Sequence, residues 1–202
     1  EMEQHATTLA TSVETIAYLS KGFASKSPSP PVQQVLLQTV HISSLVLETF
    51  PQHEVVRSKC LILLQRMIQT LANDEVLKYV PKLLQILIQH CSHQDVVDVA
   101  HVFQQICIKF KRKAFHIVDV ALMPLLKICH DLTLRLQQEQ VDDIVPPHIV
   151  TEQLSIKKLS NAVMYQIALH QLSDVLTSST NMHSLQGILD MMKDGATEVP
   201  DP

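Results

Sequence analysis

Apolar residues recur along most of the chain at spacings of three and four, the period that places side chains on one face of an α-helix. The pattern is clearest from Glu75 to Phe110, where two such stretches flank a short polar turn. The apolar stripe of the first stretch consists of Val76, Leu77, Val80, Leu83, Leu84, Leu87, Ile88 and Cys91. Asp95 precedes the second stretch as a predicted N-cap. We therefore predict a helical hairpin over residues 75–110.

Two sequence offsets indicate that this hairpin is repeated. Pro124 in Met123-Pro124-Leu125-Leu126 follows Pro81 in Val80-Pro81-Lys82-Leu83 by 43 residues, and Asp95-Val96-Val97 follows Glu54-Val55-Val56 by 41. An interior proline kinks a helix, so we expect Pro81 and Pro124 to lie at the same place in equivalent helices. A two-helix unit of this length is typical of HEAT and armadillo repeats, which bury their apolar faces by stacking.

The sequence therefore predicts an all-α fold, an α–α superhelix of HEAT/ARM-like repeats with about eight antiparallel helices, as a single segment of a longer solenoid. An irregular helical bundle is the alternative. The predicted divisions are residues 1–20 as the second arm of a preceding repeat, 32–72, 75–110 and 114–177 as helical hairpins, and 181–195 as the first arm of a following, truncated repeat. Polar segments over 21–31 and 137–150 are predicted to lie between helices.

The amino-acid composition is consistent with a helical fold, and it limits the classes of function that we expect. Hydrophobic residues make up 46% of the chain, with only three glycines and no tryptophan, as expected of an all-helical stack. The formal net charge of −4 gives no sign of an extended nucleic-acid surface. We expect cysteines 60, 91, 107 and 129, which all lie on apolar stripes, to be buried, reduced thiols of an intracellular protein. Because no apolar run approaches 18 residues, no membrane insertion is expected.

Candidate chemistry is sparse. His90-Cys91-Ser92-His93 lacks the four-ligand spacing of a structural zinc site, so we predict neither a metal nor a cofactor. No phosphate-cradling glycine loop or glycine-flanked nucleophile is present in the sequence, and we predict that the chain is not an enzyme. Arg57, early in a second-arm helix, is expected to pair with an acid of the adjoining repeat, with Asp131 or Asp98 as candidates.

The sequence has one local excess of positive charge, the basic run formed by Lys109, Lys111, Arg112 and Lys113. Positive side chains near a helix C-terminus complement the helix dipole and keep a turn soluble. The same side chains also suit phosphate contacts. Both interpretations stay open at the level of the sequence.

From about Val55 onward the sequence resembles the exportin-T family, the tRNA-export members of the karyopherin-β class. The resemblance covers roughly three quarters of the chain. It is carried by Val56-Arg57-Ser58-Lys59-Cys60, Leu64-Gln65-Arg66-Met67-Ile68, Ile108-Lys109-Phe110-Lys111, Met123-Pro124-Leu125-Leu126 and the stretch 194–202.

The resemblance implies a superhelical receptor that wraps tRNA and shuttles between nucleus and cytoplasm. The implied partners are tRNA, Ran GTPase in its GTP form through regions mostly outside this chain, and nucleoporins. Since such receptors read tRNA by shape and backbone, the tRNA-binding candidates are simply basic residues: Lys59, Arg66, Lys109, Lys111, Arg112, Lys113, Lys157 and Lys158. The alternative, favoured by mixed surface charge, is a HEAT-repeat scaffold or importin-type platform for protein partners.

Overall fold

The computed structural model describes residues 2–23, 28–71, 74–138 and 147–198, with the backbone alone at Gln137 and at 194–198. In these ranges there are eight α-helices and no strand, which confirms the predicted all-α fold. The helices are α1 Met2–Leu19, α2 Pro30–Thr49, α3 Glu54–Leu71, α4 Val80–Gln89, α5 Val96–Phe110, α6 Phe115–Gln138, α7 Pro147–Leu169 and α8 Leu185–Glu198. Short 3₁₀ turns lie at Ser20–Phe23, Val76–Lys78, Lys111–Ala114, Ser173–Thr177 and Met182–Ser184.

The chain divides into two compact units, Glu1–Phe110 and Lys111–Pro202. In the first unit α3 packs against both α1 and α5, whereas α2 packs against α4. The second arms therefore form one layer and the first arms the other, with α2 and α3 joining the layers. This is the two-layer packing expected of stacked helical hairpins.

Helix α3 is the centre of the first unit. It has neighbours on several sides, and Leu61, Leu64 and Met67 expose at most 1% of their surface. Phe103 of α5 is completely buried. Full burial of one such side chain contributes about 1.5–3 kcal/mol, so these apolar side chains contribute strongly to the stability of this layer.

A buried ion pair joins successive hairpins in the first unit. Arg57 Nε donates to Asp95 Oδ2 at 2.8 Å, and the two side chains expose only 5% and 6% of their surface. The guanidinium also donates to the carbonyl of Pro51 at 3.2 Å. The same Asp95 oxygen accepts from the backbone N–H and the hydroxyl of Ser92. Burial is thus accompanied by the extra hydrogen bonds that a desolvated ion pair requires.

Arg57 has an acidic partner, as expected, but both candidates named from the sequence were wrong. Asp95 lies immediately before α5 and next to the first turn of α3, whereas Asp98 and Asp131 are exposed. Asp95 stands at the predicted N-cap position of α5, yet its carboxylate receives Arg57 and Ser92. Its charge still lies at a helix N-terminus, where the helix dipole favours an anion.

The expectation that Pro81 and Pro124 lie at the same place in their helices was wrong. Pro81 occupies the first turn of α4, where the amide lacks an intrahelical partner and proline is well tolerated. Pro124 lies inside α6, where it removes a hydrogen bond. The polar segments fall partly on undescribed residues: α6 ends at Gln138 and α7 begins at Pro147, so 139–146 lie outside the described residues, as do 24–27.

In the second unit α7 packs against α6 and α8, and the turn Ser173–Thr177 packs on α6. Asp119 of α6 holds the segment that follows this turn. Its carboxylate accepts from Ser178 Oγ at 2.5 Å, Thr180 Oγ1 at 2.9 Å and Asn181 Nδ2 at 3.0 Å. Asn181 is fully buried and also donates to the carbonyl of Asp119. These bonds position the start of α8.

Three of the four cysteines are buried as expected, and all four are free thiols. Burial raises the pKa of Cys60 and of Cys107 to about 12 and also raises the pKa of Cys129. These thiols stay protonated and unreactive at neutral pH. Cys91 is only half-buried, contrary to expectation, because α4 ends at Gln89 and leaves Cys91 in the following turn.

Candidate functional site

The basic candidates are distributed over both units. Lys59 and Arg66 lie on α3 and Lys109 lies near the end of α5, all in the first unit. In the second unit Lys111, Arg112 and Lys113 form the turn before α6, and Lys157 and Lys158 lie on α7.

Lys59 is committed to an ion pair. Its Nζ lies 2.8 Å from Glu14 Oε1, and both side chains expose 26% of their surface. The pair joins α3 to α1, the neighbouring helix of the second-arm layer. A ligand phosphate at Lys59 must compete with Glu14, which lowers the gain from the contact.

Arg66 and Lys109 are better placed for an external ligand. Arg66 follows Lys59 by two helical turns on the half-buried face of α3 and contacts only a neutral partner in the described structure, with Nη1 3.4 Å from Gln69 Oε1. Lys109 is exposed in the last turn of α5, where its charge complements the helix dipole. Each lies within the last two turns of its own helix, and α3 packs against α5.

In the basic turn of the second unit, Arg112 makes structural contacts. Arg112 Nη1 lies 2.7 Å from Asp174 Oδ2 and donates to the carbonyl of Gln171 at 3.3 Å. Arg112 thereby links the start of α6 to the turn after α7. Lys111 and Lys113 are exposed on either side of it. Lys111 has φ +49°, the left-handed conformation that ends a helix, so α5 ends immediately before the basic turn.

The two lysines of α7 face different surroundings. Lys158 is exposed, whereas Lys157 is half-buried and lines a groove between α6, α7 and α8. Adjacent residues lie about 100° apart around a helix, so the pair does not form one patch. Sequence reasoning missed the groove, because its lining comes from three helices whose juxtaposition no single stripe reveals.

The described residues contain no cluster of side chains suited to holding a metal ion. His90 Nδ1 lies 3.0 Å from Gln52 Nε2, and no group of three or more His, Cys, Asp or Glu side chains in the described ranges is arranged to hold a metal ion. Within the same ranges, none of the helices combines the length and the apolar character needed to cross a membrane. What the described surface presents instead is helix faces with mixed charge.

Comparison with known proteins gives consistent matches. The family model Exportin-T matches residues 1–202. The chain is 25% identical over 194 residues to the Exportin-T of Arabidopsis thaliana, covering 89% of this chain and 18% of that protein. It is 24% identical over 151 residues to the Exportin-T of Pongo abelii, covering 75% of this chain and 15% of that protein. The chain thus spans less than a fifth of the length of these relatives. No solved structure matches the chain at a significant level.

Proposed function

Because the chain belongs to the Exportin-T family, we propose that it is a segment of a nuclear export receptor that binds tRNA together with Ran in its GTP form. The observation that carries the proposal is the family match over residues 1–202. In this proposal the whole receptor shuttles between nucleus and cytoplasm and passes the pore by contacting nucleoporins. Ran is bound mainly by regions of the receptor outside this chain.

The role of this segment is to present phosphate contacts from stacked helix ends. Arg66 and Lys109 supply them in the first unit, and Lys111, Lys113 and Lys158 supply them in the second. Single phosphate contacts are modest, and their sum sets the affinity and its salt dependence. Because the chain has a formal net charge of −4, we expect the isolated segment to bind tRNA weakly at physiological salt and to form no stable Ran complex.

The test is to replace Lys111 and Lys113 by alanine in the full-length receptor and to measure tRNA affinity over a range of salt concentrations. The salt slope is the slope of log K for tRNA binding against log salt concentration, and each lost phosphate contact is expected to reduce its magnitude by about 0.7–0.9. The double variant should therefore show a reduction that corresponds to at most about two contacts. Affinity should fall to a similar extent for different tRNA sequences, because backbone contacts carry no sequence information.

A matched control removes two lysines from the first-arm layer. Lys78 pairs with Glu75, and Lys82 pairs with Glu48 on α2. Replacing both by alanine changes the net charge as much as the Lys111 and Lys113 variant does. An equal loss of tRNA affinity in both double variants would mean that the change in net charge explains the loss. That result would contradict a specific phosphate contact at the basic turn.

The alternative function, a helical-repeat platform for protein partners, is favoured by one observation. The groove of the second unit is largely apolar, which suits a peptide better than a phosphate backbone. Unchanged tRNA affinity and salt slope in the Lys111 and Lys113 variant would favour this alternative for the segment. The two functions are compatible in one receptor, since they use different surfaces of the second unit.

A further inference from the structure

Helix α2 of the first unit has an apolar flank that stays exposed in the described structure. Val35 exposes 60% of its surface and Ile42 exposes 56%. The two residues are seven positions apart, which is nearly two helical turns, so they lie on the same side of the helix. The buried residues Leu36 and Leu47 of the same helix form a separate, packed face. The exposed side of α2 is therefore a second apolar surface.

This exposed side of α2 points away from both α3 and α4. The carbonyl of Ser43 accepts a hydrogen bond from Cys60 Sγ of α3 at 3.8 Å, which marks the side that faces α3. Glu48 pairs with Lys82 of α4 and marks the side that faces α4. Successive residues differ by about 100° around a helix, so Ile42 is separated by at least that angle from both Ser43 and Glu48. Ile42 therefore faces a third direction.

Helix α1 carries a stripe with the same spacing. It packs against both α2 and α3, and its side chain Ala10 is buried while Leu9 stays 38% exposed and Ile16 is half-buried. Leu9 and Ile16 are also seven positions apart and share one side of α1. Glu14, which pairs with Lys59 of α3, lies on the other side of the buried alanine stripe. We call the surface formed by Leu9, Ile16, Val35 and Ile42 the open flank.

The helices of the open flank carry little charge. From Pro30 to Leu47, α2 contains no Asp, Glu, Lys or Arg, and the only such residues in α1 are Glu3 and Glu14. Helix faces that stay in water usually carry charged side chains, whereas faces inside a stack of helical repeats are apolar. The open flank offers no cations to a phosphate backbone. It therefore suits the apolar face of another helix.

The packing order of the first unit indicates which helix fits. The second arm α3 packs against the first arm α2, and the second arm α5 packs against the first arm α4. α1 packs in the second-arm layer against α3, but no first arm precedes it among the described helices. First arms lie side by side in such a stack, as α2 and α4 do. A first arm for α1 would lie beside α2 on the side away from α4, where Val35 and Ile42 are exposed.

We propose that the open flank binds an amphipathic helix of the receptor's own chain, the first arm that pairs with α1. This helix lies in the roughly 20 residues before residue 1, since a two-helix repeat of this class contains about 40 residues. The Exportin-T relatives contain much more chain than this segment, which covers 18% and 15% of their lengths. The inference rests on the proposed function only in that the chain is a segment of a longer receptor, and it makes no use of tRNA binding.

Thiol labelling at introduced cysteines measures whether the open flank is covered. Ile42→Cys and Val35→Cys report on the flank, and Gln34→Cys is the matched control, because Gln34 is exposed and lies about 100° from Val35 around the helix. Mass spectrometry follows the reaction of each introduced cysteine with iodoacetamide. In the full-length receptor both flank cysteines should react about tenfold more slowly than in the 202-residue chain, because burial lowers thiol reactivity. The rate of Gln34→Cys should change less than threefold.

An extended chain identifies the helix that covers the flank. Adding the roughly 20 receptor residues that precede residue 1 to the 202-residue chain should restore the slow labelling of Val35→Cys. A scrambled extension of the same composition should not restore it. In the extended chain, Ile42→Glu should return Val35→Cys to its fast rate, because a buried carboxylate without a partner is unfavourable. Gln34→Glu should leave Val35→Cys protected, and circular dichroism checks that each variant keeps its helicity.

The proposal is overturned by any of three results. Equal labelling of Ile42→Cys in the 202-residue chain and in the full-length receptor would show that the flank stays open. Protection that rises with the concentration of the 202-residue chain would assign the flank to a second copy. Protection in the full-length receptor but not in the extended chain would assign it to another segment or to a partner protein. Because no assay contains tRNA, these results are independent of the salt-slope test of tRNA binding.

Discussion

Each compact unit contains an arginine–aspartate ion pair of nearly the same length, and the two pairs differ in their exposure to water. Arg57 and Asp95 approach to 2.8 Å with side chains 5% and 6% exposed, whereas Arg112 and Asp174 approach to 2.7 Å with side chains 59% and 65% exposed. Distance therefore does not distinguish the two. Water screens the exposed pair, but a buried charge that loses its partner has no water to replace it.

This difference in exposure separates cations that hold the fold together from cations that an external ligand can reach. The buried Arg57 donates to the Asp95 side chain and the Pro51 carbonyl. It therefore holds two hairpins together and is not accessible to an external ligand. Arg112 keeps more than half of its side chain in solvent. An exposed ion pair of this kind is weak enough for a phosphate to displace Asp174, which makes Arg112 compatible with both roles considered for the basic run.

The largest effect is expected from Asp95→Ala. The change leaves the Arg57 guanidinium buried without its carboxylate, and breaking such a pair costs about 3–5 kcal/mol. Ser92 also loses the acceptor for its hydroxyl and its N–H. Urea unfolding of the 202-residue chain, followed by circular dichroism, measures the loss in the free energy of unfolding.

The control for Asp95→Ala replaces both partners, Arg57→Met with Asp95→Leu. Removing both charges avoids the orphaned ion, and well-packed apolar replacements are often nearly neutral. We expect the double variant to recover most of the stability lost in Asp95→Ala. A loss below about 1 kcal/mol in the single variant would show that water reaches Arg57 and that the two pairs are energetically alike.

The next effect concerns the second unit, whose stability we expect to depend on the hydrogen bonds that the Asp119 carboxylate accepts more than on its exposed ion pair. Asp119→Ala removes the acceptor of Ser178, Thr180 and one bond of the fully buried Asn181. A hydrogen bond to a charged group contributes about 1.5–3 kcal/mol, but Thr180 is exposed to water and Asn181 Nδ2 keeps the carbonyls of Asp119 and Val175 as acceptors. We therefore expect a total loss of about 1–3 kcal/mol. Asp131→Ala, which removes an exposed carboxylate from the same helix, is the control and should change stability by less than about 0.5 kcal/mol. Equal losses in the two variants would contradict a special role for Asp119.

A smaller change of opposite sign is expected from Gln171→Gly. Gln171 has φ +60° after the end of α7, and the next amide, Leu172 N–H, donates to the carbonyl of Ile167 at 3.0 Å. This is a Schellman-type helix end, in which glycine is the preferred residue. Removing the left-handed strain should stabilise the chain by about 1 kcal/mol, measured as a higher urea midpoint with an unchanged slope. Destabilisation would mean that the Gln171 side chain is needed beside Arg112.

The sequence predicted the helical fold well, because apolar residues recur at helical spacing in the segments that form the long helices, such as α3 and α5. It predicted the partners of single residues poorly. Arg57 pairs with Asp95 and not with Asp98 or Asp131, since the choice depends on where the turn before α5 lies relative to α3. Pro81 and Pro124 share a sequence context but not a helix position. The groove depends on three helices at once, and no spacing along one chain segment encodes it.

The smallest effect on stability is expected from Arg112→Ala, and it sharpens the comparison of the two ion pairs most directly. Exposed pairs contribute about 0.2–1 kcal/mol, and the pair with Asp174 should contribute less as salt is raised, because the Debye length shortens from about 10 Å at 0.1 M to about 3 Å at 1 M. The urea midpoints of wild type and Arg112→Ala should therefore converge at 1 M salt, whereas those of wild type and Asp95→Ala should stay apart. In the full-length receptor, Arg112→Ala should also lower the salt slope of tRNA binding by less than Lys111→Ala does, because Asp174 already neutralises part of the charge of Arg112. A stability loss of about 3 kcal/mol at high salt would show that Arg112 acts as a buried anchor like Arg57, and the basic turn would then be structural.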